Sequence, residues 1–407
     1  MGKPTIRFEG YTDDWEQRKL ESMSEFITKG ATPTTYGFEW QTRGIPFFRN
    51  DAIKNNQFVY GEYSYISEEA NEVLKRSEIR ANDILVAITG DIGKVGIIPK
   101  NIEKGNINQH TARIRVTKNA VPYFIYQSLC TEEQQRKYQL IKTGLSMPQL
   151  SLEQIRSTVV LCPSLSEQNM IGKYFRSIDH LITLHQRKCV ETKKFKKFML
   201  QKMFPQKGEK IPEIRFAGFT ADWEQRKLGD VIEKLTGGVS IAPDDYVNEG
   251  YRTIPKGAVN SLGIADMSGC KIVSEDFFKK NISSKTSSGE LVTSLRDLVP
   301  TAPNMGRIVR ICGDSENFLM PQGVYSIIVK KKVSEDFLIA YSNSPEYRKI
   351  IMAEKNGSTQ VHIRNGEFLN IDIPLPSYEE QMKMGEQFNY LDRLITLHQH
   401  KQNNLKN

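Results

Sequence analysis

Two stretches of the chain concentrate forked and hydroxylated side chains of the kind that read base edges or grip phosphates. In the first, Arg43, Arg49, Tyr63, Lys94, Asn108, Gln109, His110 and Arg113 fall in loops and short β-rich runs. In the second, Lys256, Asn260, Arg296, Asn304, Arg307, Arg310, Gln322 and His362 do the same. Arg and Lys match the paired acceptors of guanine, and Asn and Gln match the donor–acceptor pair of adenine. Contacts to phosphate position a protein without specifying sequence. Catalytic chemistry is poorly served. No [DN]-P-P-[YF] motif of an amino-methyltransferase is present. The run Gly90-Asp91-Ile92-Gly93-Lys94-Val95-Gly96 has the wrong spacing for a phosphate-binding loop and lacks its hydroxyl. It reads better as a turn between strands. Asp91 and Glu103 are too loosely arranged for a nuclease site, and no His/Cys cluster has metal-ligand spacing.

The elements that must position these residues emerge from an internal repeat. Ile6 to Leu20 reappears as Ile214 to Leu228, with 12 of 15 positions identical at an offset of 208. A second block recurs at an offset of 213: Pro163-Ser164-Leu165-Ser166-Glu167-Gln168 matches Pro376-Ser377-Tyr378-Glu379-Glu380-Gln381, and Leu181–Gln186 matches Leu394–Gln399 without a change. Between the blocks, residues 21–140 and 229–355 share texture but no comparable identity. Each holds β-rich runs, such as 83–88, 290–294 and 324–329, punctuated by Gly, Asn, Asp and Pro. A period this long is a tandem duplication, not a solenoid. One frame repeated around divergent inserts suggests a single scaffold holding two modules of different specificity.

The second repeated block predicts a long helix in each half. Ser164 with Glu167, and Ser377 with Glu380, form S-x-x-E capping boxes just after a proline. Beyond the caps, spacings of four and three pick out Ile171, Phe175, Ile178, Ile182, His185 and Cys189 in one copy. In the other they pick out Met384, Phe388, Leu391, Ile395, His398 and Gln402. This is a coiled-coil seam that turns polar at its end, where His185 and His398 suit a register-setting contact better than catalysis. The helices should run from about Glu167 to Met203 and from about Glu380 to near the end of the chain, roughly 55 and 40 Å long. Each is too long to hide its stripe on its own module, so the two should pair antiparallel. Two dissimilar heads on a ruler suit a bipartite target on a linear polymer, and the shorter helix matches the 34–36 Å between DNA half-sites one turn apart.

Composition is compatible with this and excludes much else. The chain has 407 residues and a net charge of +8, but the stretch 186–210 carries nine Lys/Arg against two Glu, so the rest is nearly neutral. Mean hydropathy is −0.47, and no apolar run approaches the length of a membrane span. Five scattered cysteines without CxxC spacing, and an opening segment without an apolar stretch, point to a reducing cytoplasm and to thiols acting as small core residues. Trp15 and Trp223 read as core anchors. The face carrying Lys193, Lys194, Lys196 and Lys197 between Phe195 and Phe198 reads as a surface for an acidic, partly apolar partner helix.

Over essentially its whole length the sequence resembles the specificity subunits of type I restriction-modification enzymes. The resemblance rests on the repeated W-E-x-x-x-L segment (Trp15–Leu20, Trp223–Leu228), the P-S-x-x-E-Q helix start and the L-I-T-L-H-Q helix, each present twice. It implies α/β (α+β) globular modules in an internal pseudo-twofold duplication: target-recognition domains at 1–162 and 206–375, and conserved helical regions at 163–205 and 376–407 that form an antiparallel coiled coil. The second helix lacks counterparts of Phe195 through Met203. By the same resemblance, the segment Gly144–Gln149, with Ser146 and Gln149, and its counterpart Gly357–His362, with Thr359, Gln360 and His362, are turns of the recognition domains. The subunit would be non-catalytic and bind no metal or cofactor itself. It would select double-stranded DNA for two methylation and two restriction subunits, which use S-adenosylmethionine, ATP and Mg. A stand-alone restriction or methylation enzyme and a protein-only coiled-coil scaffold are the alternatives.

Overall fold

The computed structural model describes residues 4–60, 63–144, 146–313 and 317–406. The chain divides into two compact units, Met1–Leu181 and Ile182–Asn407.

In the first unit the core sheet has the order Ser24–Lys29, Thr111–Val116, Ile84–Ala87, Val95–Ile97, all antiparallel. The run Ile84-Leu85-Val86-Ala87 is buried throughout, because its two faces serve two cores. Ile84 and Val86 pack with Phe124, Ile125 and Leu129 of the helix Pro122–Cys130. Leu85 and Ala87 pack with Phe48 and Ile107 of a second, smaller sheet. A strand covered on both faces is apolar without alternation.

The second unit repeats this plan. Its sheet order is Ile232–Gly237, Val324–Val329, Leu291–Ser294, Ile308–Arg310. Glu335–Ser342 takes the place of Pro122–Cys130. Both module helices were absent from the sequence expectation, which saw only β texture between the repeated blocks. They are short and apolar on most faces (PYFIYQSLC, EDFLIAYS), so no amphipathic period betrays them.

The repeated blocks explain each other. The first forms a strand, Glu16–Lys19 or Glu224–Lys227, paired antiparallel with the strand that feeds the long helix, Val159–Cys162 or Asp372–Leu375. Trp223 is buried against Phe204 and Phe337, while Trp15 is half-buried against Phe124. At each helix start the Ser hydroxyl accepts the Glu N–H, Ser164 from Glu167 and Ser377 from Glu380. The carboxylates do not close the capping box. Glu167 takes a bidentate pair from Arg7, and Glu380 takes one from Arg215, each with N–O distances of 2.7 Å. A charged two-bond partner outcompetes a single backbone N–H. Gln168 and Gln381 complete the joint: each donates to the proline carbonyl at the helix start and accepts the N–H of Val121 or Ser334 before the module helix.

The long helices span Leu165–Lys202 and Tyr378–Lys406, about 57 and 44 Å at 1.5 Å per residue. Within the second unit, the helix segment from Ile182 onward lies antiparallel to Tyr378–Lys406. Contacts descend one chain as they climb the other: Phe204 with Phe388 (rings 5.8 Å apart), Lys196 with Asp392 (2.5 Å), His185 with His398 (Nδ1 atoms 3.0 Å apart). Ile182, Cys189, Met384, Phe388, Leu391 and Ile395 are buried. Lys196, expected on an outer face, is buried in its ion pair, whereas Phe195 and Phe198 are about half exposed. In the first unit the expected seam serves the module instead. Ile171 packs on its core, Ile178 is half-buried and Phe175 is exposed. Of the cysteines, Cys162 and Cys189 are buried, Cys130 and Cys270 partly so, and Cys312 is exposed, not a core residue.

Candidate nucleic-acid interface

In the second unit six of the ten residues singled out for base or phosphate contact, or for the turn, converge on one cleft. Lys256, Arg296, Asn304, Gln322, Gln360 and His362 line a cavity of about 520 Å³. The two-residue strands Arg296–Asp297 and Val361–His362 pair antiparallel, with Arg296 directly opposite His362. The turn that presents Thr359 and Gln360 is closed by reciprocal backbone bonds between Asn356 and His362 (2.8 and 2.9 Å). It depends on Gly357, whose φ is +100° and where a Cβ would lie 2.3 Å from the Gln360 carbonyl. Gln322 is held in place by its N–H bonding the Val239 carbonyl (2.7 Å). Among the described residues Lys256 and Arg296 form no salt bridge, so the lining, which also holds Asp297, carries two cations to one carboxylate.

The same wiring recurs in the first unit. Thr143 and Gln149 exchange backbone bonds of 2.9 and 2.8 Å around Gly144, whose φ is +82°. Gln149 bridges Thr89, as His362 faces Arg296. The Ile88 N–H bonds the His110 carbonyl and the Leu150 N–H bonds the Ile88 carbonyl; Leu295, Gly323 and Ile363 repeat this pattern. Gln109, the counterpart of Gln322, is exposed and accepts a hydrogen bond from the Thr32 hydroxyl. Ser146 and Gln149 are exposed, and Leu145 lies outside the described residues. Arg49 lies over the Trp40 ring, 5.6 Å from its centre, next to Asn50, whose amide reaches the Thr89 carbonyl. Trp40 and Asn50 were not singled out from the sequence.

Other candidates are spent on structure. Asn108 is buried, its carbonyl oxygen accepting from Thr111 and the His110 N–H. Arg113 is buried, its guanidinium donating to the Glu78 carbonyl and pushed below its ordinary pKa by burial. Asn260 satisfies its own loop through Ala258, Leu262 and Ile264. Burial and the neighbouring Arg348 hold Arg307 down at about 10, where it donates to Pro303 and Asn343. Arg310 is neutralised by Glu335 and Asp336. Lys94 is half-buried in the turn between strands, Tyr63 packs on Phe48 and Tyr65, and Arg43 is exposed ahead of the strand Ile45–Phe48. Side-chain type alone does not distinguish an outward donor from one that folding consumes.

Among the described residues no three His, Cys, Asp or Glu side chains come together as a metal site, and no helix is long and apolar enough to cross a membrane.

A family model described as the type I restriction modification DNA specificity domain matches residues 12–193 and again 220–407. The specificity subunit of the type I restriction enzyme MjaVIII of Methanocaldococcus jannaschii is 24% identical over 400 residues, covering 95% of this chain and 88% of its own. That of EcoBI from Escherichia coli is 33% identical over 164 residues, 39% of this chain and 34% of its own. In three dimensions the crystal structure of the S subunit of a type I restriction-modification system from M. genitalium superposes with a TM-score of 0.63 at 13% identity. It covers 98% of this chain and 94% of that one.

Proposed function

We propose, from the premise that this chain belongs to the type I restriction-modification DNA specificity family, that it reads an asymmetric bipartite DNA site, one half-site per module. The observation that carries this reading is the polar cluster at the turn after the module sheet. Its backbone wiring is the same in both units and one glutamine is shared (Gln109, Gln322), yet the flanking side chains differ: Thr89 and Gln149 in one, Arg296 and His362 in the other. A conserved platform with exchanged side chains suits two modules that dock alike and read different bases. The two long helices would set the unread spacer between the half-sites. Part of the phosphate grip would come from partners, since most of the chain is nearly neutral.

In this reading the chain is not an enzyme. It recruits two methylation subunits, which use S-adenosylmethionine, and two restriction subunits, which use ATP and Mg. Mapping methylated adenines in a host expressing the chain with its methylation subunit should return one motif with two dissimilar halves and a constant gap. A continuous or symmetric motif would overturn the proposal, as would equal affinity of the assembled complex for specific and scrambled duplexes.

A further inference from the structure

The change of repeat offset has a physical location. Strand Ile84–Ala87 corresponds to Leu291–Ser294 at an offset of 207, but Val95–Ile97 corresponds to Ile308–Arg310 at 213. The second module therefore carries six additional residues in one place, the loop 295–307, where the first has the tight turn 88–94. That loop ends in an apolar tip. Leu298 is 72% exposed and Val299 is 43% exposed, followed by Pro300, and Leu298 stands on the rim of the cleft beside Arg296 and His362.

The tip is held rigidly. The Asp297 carboxylate accepts the N–H groups of Val299 (3.3 Å) and Asn304 (3.1 Å), clasping both ends of the loop. From behind, Arg348 donates to the carbonyls of Ala302 and Met305, both at 2.5 Å, and Lys355 donates to that of Pro300. Ala302 is buried in the left-handed region at φ +43°, a conformation that persists only where its surroundings enforce it. A partly buried guanidinium and a strained residue thus hold outward a leucine that contributes nothing to the core. The base of the loop serves the core, where Ala302 and Met305 are fully buried, but Leu298 does not, and an apolar tip held out beside a polar cleft suits a ligand. The ligand is one that meets a net cationic cleft and accepts an apolar blade, and stacked base pairs behind a phosphate backbone fit both.

We propose that Leu298, braced by the 295–307 loop, is a wedge that enters a base step within the half-site of the second module and partly unstacks it. The proposal rests on the DNA-reading function above. The first module, with Asp91 in its short turn, has no such device.

The test uses the full chain complexed with its methylation subunit. Duplexes carry the site defined by methylation mapping, with 2-aminopurine placed at successive positions of each half. Binding should raise the fluorescence several-fold at one step of the second-module half. Leu298→Ala should abolish that rise and weaken specific binding about tenfold, while Leu298→Phe should preserve the rise. No rise in the other half should depend on Leu298. If wild type prefers the specific duplex but its fluorescence pattern is unchanged in Leu298→Ala, the wedge is refuted and the reading function stands. If Leu298→Ala instead loses the methylation subunit on co-purification, the tip is a protein contact and the proposal falls. Wild-type complex that does not distinguish specific from scrambled duplex would overturn the reading function itself.

Discussion

The two modules share the strand order of the core sheet, helix placement and even the hydrogen bonds that close the candidate reading turn, yet they differ in the loop leading to that sheet's edge strand. In the first, residues 88–94 make a tight turn on Gly90 and Gly93, both at positive φ. In the second, residues 295–307 build an apolar tip over a cationic cleft. Duplication preserved what docks and caps. It released what faces outward, because outward loops tolerate insertion at little cost to the core.

The largest effect should come from breaking the comparison outright. Exchanging residues 21–140 for the equivalent stretch of another family member should replace the bases of one half-site and leave the other half and the gap unchanged in adenine-methylation mapping. Changes in both halves would show that the modules are not independent.

Next come the Arg–Glu joints, which have the same geometry in both copies. Glu380→Ala strands a mostly buried Arg215, and Glu167→Ala strands Arg7. Each should destabilise the fold measurably, because the arginine loses its partner at a joint whose carboxylate side is fully buried. Denaturant titration should show losses of similar size. A strongly unequal pair would mean that the joint is structural in one copy only.

Smaller, at about 1–2 kcal/mol, is the strain of adding a Cβ to the reading turns. Gly357→Ala and Gly144→Ala place that atom 2.3 and 2.4 Å from a carbonyl oxygen. Binding assays with each half-site altered in turn should show that each variant becomes insensitive to its own half alone.

The smallest effect concerns the second unit only. Burial, with His185, Lys188 and Lys401 nearby, keeps the pKa of His398 below its ordinary 6.5. The folded state then binds fewer protons than the unfolded one, so stability is fully present above 6.5 and declines as pH falls through the depressed value. The midpoint of chemical denaturation should drop modestly on acidification, and His398→Leu should flatten that dependence.

Much of the frame was legible in the sequence, and for identifiable reasons. The Ser-x-x-Glu starts and the four–three spacing placed both long helices to within about two residues, since caps and period act locally. The turns around Gly144 and Gly357 were legible as glycine-led segments. The Arg7–Glu167 joint was not, because a Glu three residues after a Ser predicts a capping box, and only the folded chain brings an arginine from 160 residues away. The seam was misjudged near Phe175 because the module helix Pro122–Cys130, invisible to periodicity, covers the neighbouring turns. Arg113, Asn108 and Arg310 looked like base readers for the same reason that Arg296 did.

The sequence alone determined the duplication, the two helices, the absence of recognisable catalytic motifs and the family to which the chain is similar, since these depend on residue order and short-range spacing. Tertiary structure decided which polar groups remain for a ligand. That depends on which donors the fold consumes in pairing across hundreds of residues, and on where a long loop must point once its base is tied down. Leu298 shows the difference: in sequence it is one more leucine, and in space it is an apolar side chain held in water by Arg348 and Lys355 from behind.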